Sequence, residues 1–146
     1  MKRNVVERKI MWGDLDSLGI VFYPRYYEWM DASGHLFFES IGLNMGELWR
    51  QKGILFGLVE TSCRYLKPAR YHQKIRILTS IEALDKKKVV LKHSIWASEN
   101  DVLMTEGFEE RICLDASARE EFRAVDFPDD IYRVLQKAKE VEEGDH

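Results

Sequence analysis

Trp12-Gly13-Asp14-Leu15-Asp16-Ser17-Leu18-Gly19-Ile20-Val21-Phe22-Tyr23-Pro24-Arg25-Tyr26-Tyr27 joins an alternating apolar segment to the one long helical pattern of the chain. Two carboxylates and two glycines crowd into its first half without a period, which predicts a loop. Pro24 then stands where a helix accepts proline, in its first turn. Behind it Tyr27, Met30, Gly34, Phe37, Phe38 and Ile41 recur at three-to-four spacing, so one long, mostly buried helix is expected, with Gly42 as its stop.

Upstream, Val5, Val6, Arg8, Ile10 and Trp12 alternate well enough to predict a first strand over residues 4–12. Downstream, a short amphipathic piece over 45–51 precedes Gly53, and there the helical period ends. Extended segments follow over 54–66, 74–84, 89–98 and 102–114, separated by turn residues at Lys67-Pro68, Asp85-Lys86-Lys87 and Glu99-Asn100-Asp101. Such near-consecutive strands predict an antiparallel meander of about five strands wrapped around a single central helix, an α+β architecture. From Pro128 the chain is polar and helix-prone, with Ile131, Val134 and Leu135 as its apolar stripe. A loosely docked terminal helix over about 128–146, frayed at its end, is expected.

The 146 residues, 45% hydrophobic and 32% charged, suit a single domain spanning 1–146. A formal net charge of -3 argues against a nucleic-acid-coating protein. No apolar run approaches membrane-spanning length, and the start is too interrupted by charge for a signal peptide. Cys63 and Cys113 lie far apart with no histidine or cysteine cluster, which predicts no metal site and two free thiols in a reducing cytoplasm.

Asp14 and Asp16 have two readings. They are the acceptors of an ordinary surface turn, or one of them is a reactive carboxylate. The helix start just beyond them favours chemistry, because the first N–H groups of a helix lack internal partners and present a positive end. A thioester carbonyl at the N–H of Tyr23 would be polarised there, while an aspartate a few residues earlier attacks it or activates water.

The run WGDLDSLGIVFYPRY, continued by EWMDAS, resembles the hot-dog-fold thioesterases of the 4-hydroxybenzoyl-CoA thioesterase family. Weaker landmarks are GIL at 53–55, YLKPARY at 65–71 and KHS at 92–94. The resemblance implies an acyl-CoA thioesterase that needs no cofactor, with Asp16 as catalytic carboxylate, the N–H of Tyr23 as oxyanion donor and Asp14 as a structural group. Tyr23 stands where the short-chain branch has a histidine, which points to aromatic or cyclic acyl groups.

It also places Phe22 and Asp31 at the acyl group, Asp31 meeting a ring hydroxyl; alternatively Asp31 is a helix acid paired to a neighbour. Tyr26, Trp29 and Phe56 are either pocket walls or core. Lys67, Arg70, Lys87 and Lys88 are candidates for the CoA phosphates, against solvated turn residues as the plain alternative. His93 in KHS reads as a satisfied structural histidine or a catalytic one. The fold implies a homo-oligomer, a dimer or a homotetramer, with sites between subunits. Other functions for this fold are a non-catalytic acyl-CoA binding module, or a dehydratase that would require a histidine–carboxylate pair, for which His35, His72, His93 and His146 show no motif.

Overall fold

The structure, a computed structural model, describes residues 1–118 and 120–140. Its elements run β1 (Asn4–Lys9), α1 (Pro24–Ser40), α2 (Met45–Lys52), β2 (Ile54–Tyr65), β3 (Lys74–Leu84), β4 (Lys88–Ala97), β5 (Val102–Asp115), β6 (Arg123–Ala124) and α3 (Asp129–Glu140). The expected α+β hot-dog architecture is present, with α1 lying across a curled antiparallel sheet. No helix among the described residues is long and apolar enough to cross a membrane.

β4 alternates buried and half-buried residues along its whole length, as a strand with one face on a core must. Register shifts between Leu58 and Glu60, Ile81 and Ala83, and Ile95 and Trp96 insert extra residues that bend the strands. The bends curl the sheet, and α1 fills the hollow. Phe37, Phe38 and Met30 of α1 are fully buried, each contributing about 1.5–3 kcal/mol through burial.

Three expectations need correction. The sheet is not a simple meander, because its order is β1-β3-β4-β5-β2. β2 and β3 are joined by a crossing over 66–73 rather than a tight turn. Leu66 and Lys67 N–H both bond to Met104 O, and Ala69 is fully buried there. The first strand ends at Lys9, since Met11 N–H turns inward to the Asp14 carboxylate and Trp12–Asp14 form a 3₁₀ turn. Finally, α3 is firmly docked. Ile131, Leu135 and Ala138 join Phe37, Phe38 and Phe127 in one core cluster, and Lys2 N–H bonds to Ala138 O at 2.8 Å. The missed signal was Phe127 and Ala138, which widen the apolar stripe. The fraying expected at 141–146 lies outside the described residues.

Gly34 sets how closely α1 approaches the sheet. A Cβ there would sit 2.8 Å from Glu109 Oε1 and 3.2 Å from Leu91 Cδ1. Gly34→Ala is therefore expected to cost about 1–3 kcal/mol through overpacking, read as a lower urea midpoint with unchanged slope.

Burial pushes the Cys113 thiol up to about 11 from its ordinary 9.0, and raises Cys63 and the Tyr26 and Tyr65 phenols as well. For Cys113 the sign follows directly. Below pH 9.0 both folded and unfolded thiols keep their proton and its contribution is whole; as pH rises toward about 11 only the unfolded chain releases it. Urea unfolding is expected to show a midpoint that falls steadily between these two pH values.

Candidate active site

The loop before α1 is built on Asp14. Its side chain is buried, with Oδ2 accepting Met11 N–H at 2.9 Å and Oδ1 near Arg8 Nη2 (3.5 Å) and Arg25 Nε (3.6 Å). Its carbonyl accepts Phe22 N–H at 2.8 Å. Asp14 thus ties the start of the loop to its end, and both neighbouring arginines partly neutralise the buried charge.

Between these ties the chain makes a small hairpin. Leu15 pairs with Val21, Asp16 N–H bonds to Ile20 O at 2.8 Å, and Gly19 closes the tip with φ +78°, a conformation that glycine adopts without a Cβ penalty. Ile20 pairs with Arg70, and Val21 N–H bonds to Ala69 O at 2.9 Å, so the hairpin is pinned to the 66–73 crossing.

Asp16 fits the turn reading and is also placed at a cleft. Its Oδ1 accepts Leu18 N–H at 2.8 Å, an ordinary turn bond. Among the described residues its Oδ2 has no partner, and the half-buried side chain lines a cleft of about 460 Å³. That volume suits a small acyl group with part of its carrier.

Tyr23 lines the same cleft from the start of α1. Pro24 has no N–H, Arg25 N–H bonds to Phe22 O (2.9 Å) and Tyr26 N–H to Tyr23 O (3.1 Å). The N–H of Tyr23 has no hydrogen-bond partner among the described residues, and the positive end of a 17-residue helix lies behind it. Asp16 and Tyr23, each with a polar atom that has no partner among the described residues, therefore line one cleft.

Lys67 also lines the cleft, beside Tyr65, Leu66 and Pro68. Those last three were not assigned from sequence, although they lie within the YLKPARY landmark. Tyr65 carries a phenol raised by loss of solvent and by its hydrogen bond to Tyr27. Tyr26 serves as both wall and core, whereas Trp29 and Phe56 belong to the core alone.

Other expected site residues stand apart from the cleft of the single chain. Phe22 is 47% exposed on the lip, its ring edge-on to Tyr23. Arg70 is exposed next to Ile20, outside the lining. Lys87 and Lys88 sit at the far ends of β3 and β4, about 30 Å away along strands of this length, where Lys87 pairs with Asp126 and Lys88 lies 3.9 Å from Glu110. Asp31 fits the alternative of a helix acid paired to neighbours. It is half-exposed, with Oδ1 on Arg111 Nη2 (2.7 Å) and near His35 Nε2 (3.4 Å).

A family model described as the thioesterase-like superfamily matches residues 10–135. The chain belongs to the thioesterase-like superfamily. It is 30% identical to the 4-hydroxybenzoyl-CoA thioesterase of Pseudomonas sp. (strain CBS-3) over 138 residues, covering 89% of this chain and 96% of that one. Among solved structures, an aspartate-to-asparagine variant of a 4-hydroxybenzoyl-CoA thioesterase complexed with 4-hydroxybenzoyl-CoA superposes with a TM-score of 0.85 at 25% identity, covering 92% and 99% of the two chains. A gentisyl-coenzyme A thioesterase gives 0.76 at 30% identity, covering 88% and 98%. The expected family and fold thus stand, and the protein is a thioesterase.

In this thioesterase a histidine–carboxylate pair does exist, contrary to the sequence expectation. His93 Nε2 lies 2.5 Å from Glu109 Oε1 and its Nδ1 2.7 Å from Thr79 Oγ1. The partners come from β3, β4 and β5, so no local motif could reveal them. His93, Glu109 and Thr79 are all essentially inaccessible beneath α1 and none lines the cleft.

Replacing Asp14 by Ala removes the acceptor for Met11 N–H and strands two arginines. We expect about 1–3 kcal/mol of lost stability, seen as a lower melting temperature, together with reduced turnover because the hairpin carrying Asp16 loses its anchor.

Proposed function

We propose that this thioesterase hydrolyses the CoA thioester of an aromatic or cyclic acid, with Asp16 as the reactive carboxylate and the N–H of Tyr23 as the oxyanion donor. The observation that carries the reading is the pairing, in one cleft, of a carboxylate oxygen and a helix-end N–H, each without a partner among the described residues. The named activity of the 4-hydroxybenzoyl-CoA relatives supports it.

Two routes use this geometry. As nucleophile, Asp16 Oδ2 attacks the carbonyl carbon, the oxyanion rests on Tyr23 N–H, and the C–S bond breaks to release CoA thiolate and a mixed anhydride that water then cleaves. As general base, Asp16 takes a proton from water while that water attacks, and the proton passes to the departing sulfur. Neither route calls for a metal or a cofactor.

Asp31 lies eight residues beyond Tyr23, about 12 Å along the helix axis, and helix side chains lean back toward the N-terminus. That span leaves space for one aromatic ring between the oxyanion donor and the Asp31 carboxylate, which supports Asp31 as acceptor for a ring hydroxyl and Phe22 as a lip over the ring.

The cleft is completed, in this reading, by a second copy of the chain. β2 is an edge strand paired only to β5, and Leu58 and Val59 on it are each 50% exposed. Pairing two such edges removes an open strand and gives a dimer, or a tetramer built from dimers. It also offers a way for Lys87 and Lys88 of one copy to meet the CoA phosphates held near Lys67 and Arg70 of another. Free Cys63 and Cys113 suit a cytoplasmic setting.

Thiol release from a panel of aryl- and short-chain acyl-CoA esters tests the proposal. Wild type is expected to favour aryl esters, and Asp16→Asn to lose roughly a hundredfold or more in rate. Undiminished turnover by Asp16→Asn would remove Asp16 from the chemistry. Mass analysis of Asp16 after many turnovers in ¹⁸O-water bears on the routes, since label enters its carboxylate only when Asp16 is the nucleophile and water attacks the anhydride at the aspartyl carbon.

A further inference from the structure

Beneath α1 a chain of polar groups rises from the sheet to the helix surface. Thr79 meets His93, His93 meets Glu109, Glu109 Oε2 accepts Arg111 Nη2 at 2.9 Å, and the same nitrogen donates to Asp31 Oδ1 at 2.7 Å. Arg111 is 4% exposed and its Nη1 also donates to Phe56 O at 3.2 Å. Glu109 in turn lies directly under Gly34, so neither group has space to swing.

The pair Arg111–Glu109 is already neutral without Asp31. Stability alone does not account for the arrangement, since burying ions costs desolvation that apolar residues of similar volume avoid. What the array achieves is the placement of Asp31. A lone aspartate on a helix surface exchanges rotamers. This one is fixed from below at Oδ1, while its half-exposed Oδ2 has no partner among the described residues.

We infer that Arg111 is a positioning residue for substrate selection: it clamps Asp31 so that the free carboxylate oxygen is presented as an acceptor to a hydroxyl on the acyl ring. The inference rests on the role of Asp31 proposed above. A fixed carboxylate oxygen favours a ring bearing a donor over an unsubstituted ring, so hydroxyaryl thioesters are the preferred class.

The test is the ratio of kcat/KM for 4-hydroxybenzoyl-CoA to that for benzoyl-CoA, which a general loss of folded protein does not move. Asp31→Asn and Arg111→Met are each expected to lower the ratio roughly ten- to a hundredfold, and the double variant to lower it no further, because the two act as one unit. Arg111→Lys keeps the charge but not the fork, so it should fall between wild type and Arg111→Met, and it carries the test if Arg111→Met does not fold. A ratio unchanged in both Arg111 variants but lowered by Asp31→Asn overturns the inference. A ratio unchanged by Asp31→Asn overturns it together with the role of Asp31, while leaving hydrolysis at Asp16 intact. If wild type turns over neither ester, hydrolysis is the claim that fails. The ratio of the two dissociation constants, measured by calorimetry on the same variants, then decides the inference.

Discussion

The structure depends on the packing of α1 into the hollow of the curled sheet. Phe37, Phe38 and Met30 lose all contact with water there, and Gly34 permits the helix to lie against Glu109 without a gap. Once that face is buried, the two ends of the helix are committed. Its C-terminal half shares a core with α3 and β2, while Tyr23 at its N-terminal end lines the cleft beside the 66–73 crossing. The helix both buries Tyr26, Trp29, Met30, Phe37 and Phe38 and presents the positive end that the proposed chemistry uses.

Two aspartates, two residues apart, take different parts because the loop turns between them. Asp14 points inward, where a backbone N–H and two arginines hold it, and its own carbonyl ties down Phe22. Asp16 points into the cleft with only Leu18 N–H on one oxygen. The first ties the loop down and the second is left at the cleft wall, where the proposed chemistry would use it.

The polar array below the helix links this frame to Asp31 on the helix surface. His93, Glu109 and Arg111 are buried more completely than charged residues commonly are, and they are tolerated because each donor on that chain finds an acceptor, Arg111 Nε excepted. Asp31 is where the array reaches the surface. Asp31, Lys87 and Lys88 all stand outside the cleft of one chain, which is why the proposed reading brings a second copy to it through the exposed edge of β2.

Local pattern alone was enough for the elements. The three-to-four spacing behind Pro24 predicted α1 and the alternation after Gly53 predicted β2 to β5, because periodicity, proline and glycine act over a few residues; the choice of Asp16 over Asp14 came from the family resemblance of the WGDLDSLGIVFYPRY run. What lies between elements was not legible. The crossing that sends β2 to the far edge, the docking of α3 through Phe127 and Ala138, and the join of His93, Glu109, Arg111 and Asp31 all unite residues from distant parts of the chain. The fold class and the loop before α1 are written in neighbouring residues, so both were legible along the chain. Only the tertiary structure decided which side chains meet, because hydrogen bonds and packing depend on distance in space, which spacing along the chain does not encode.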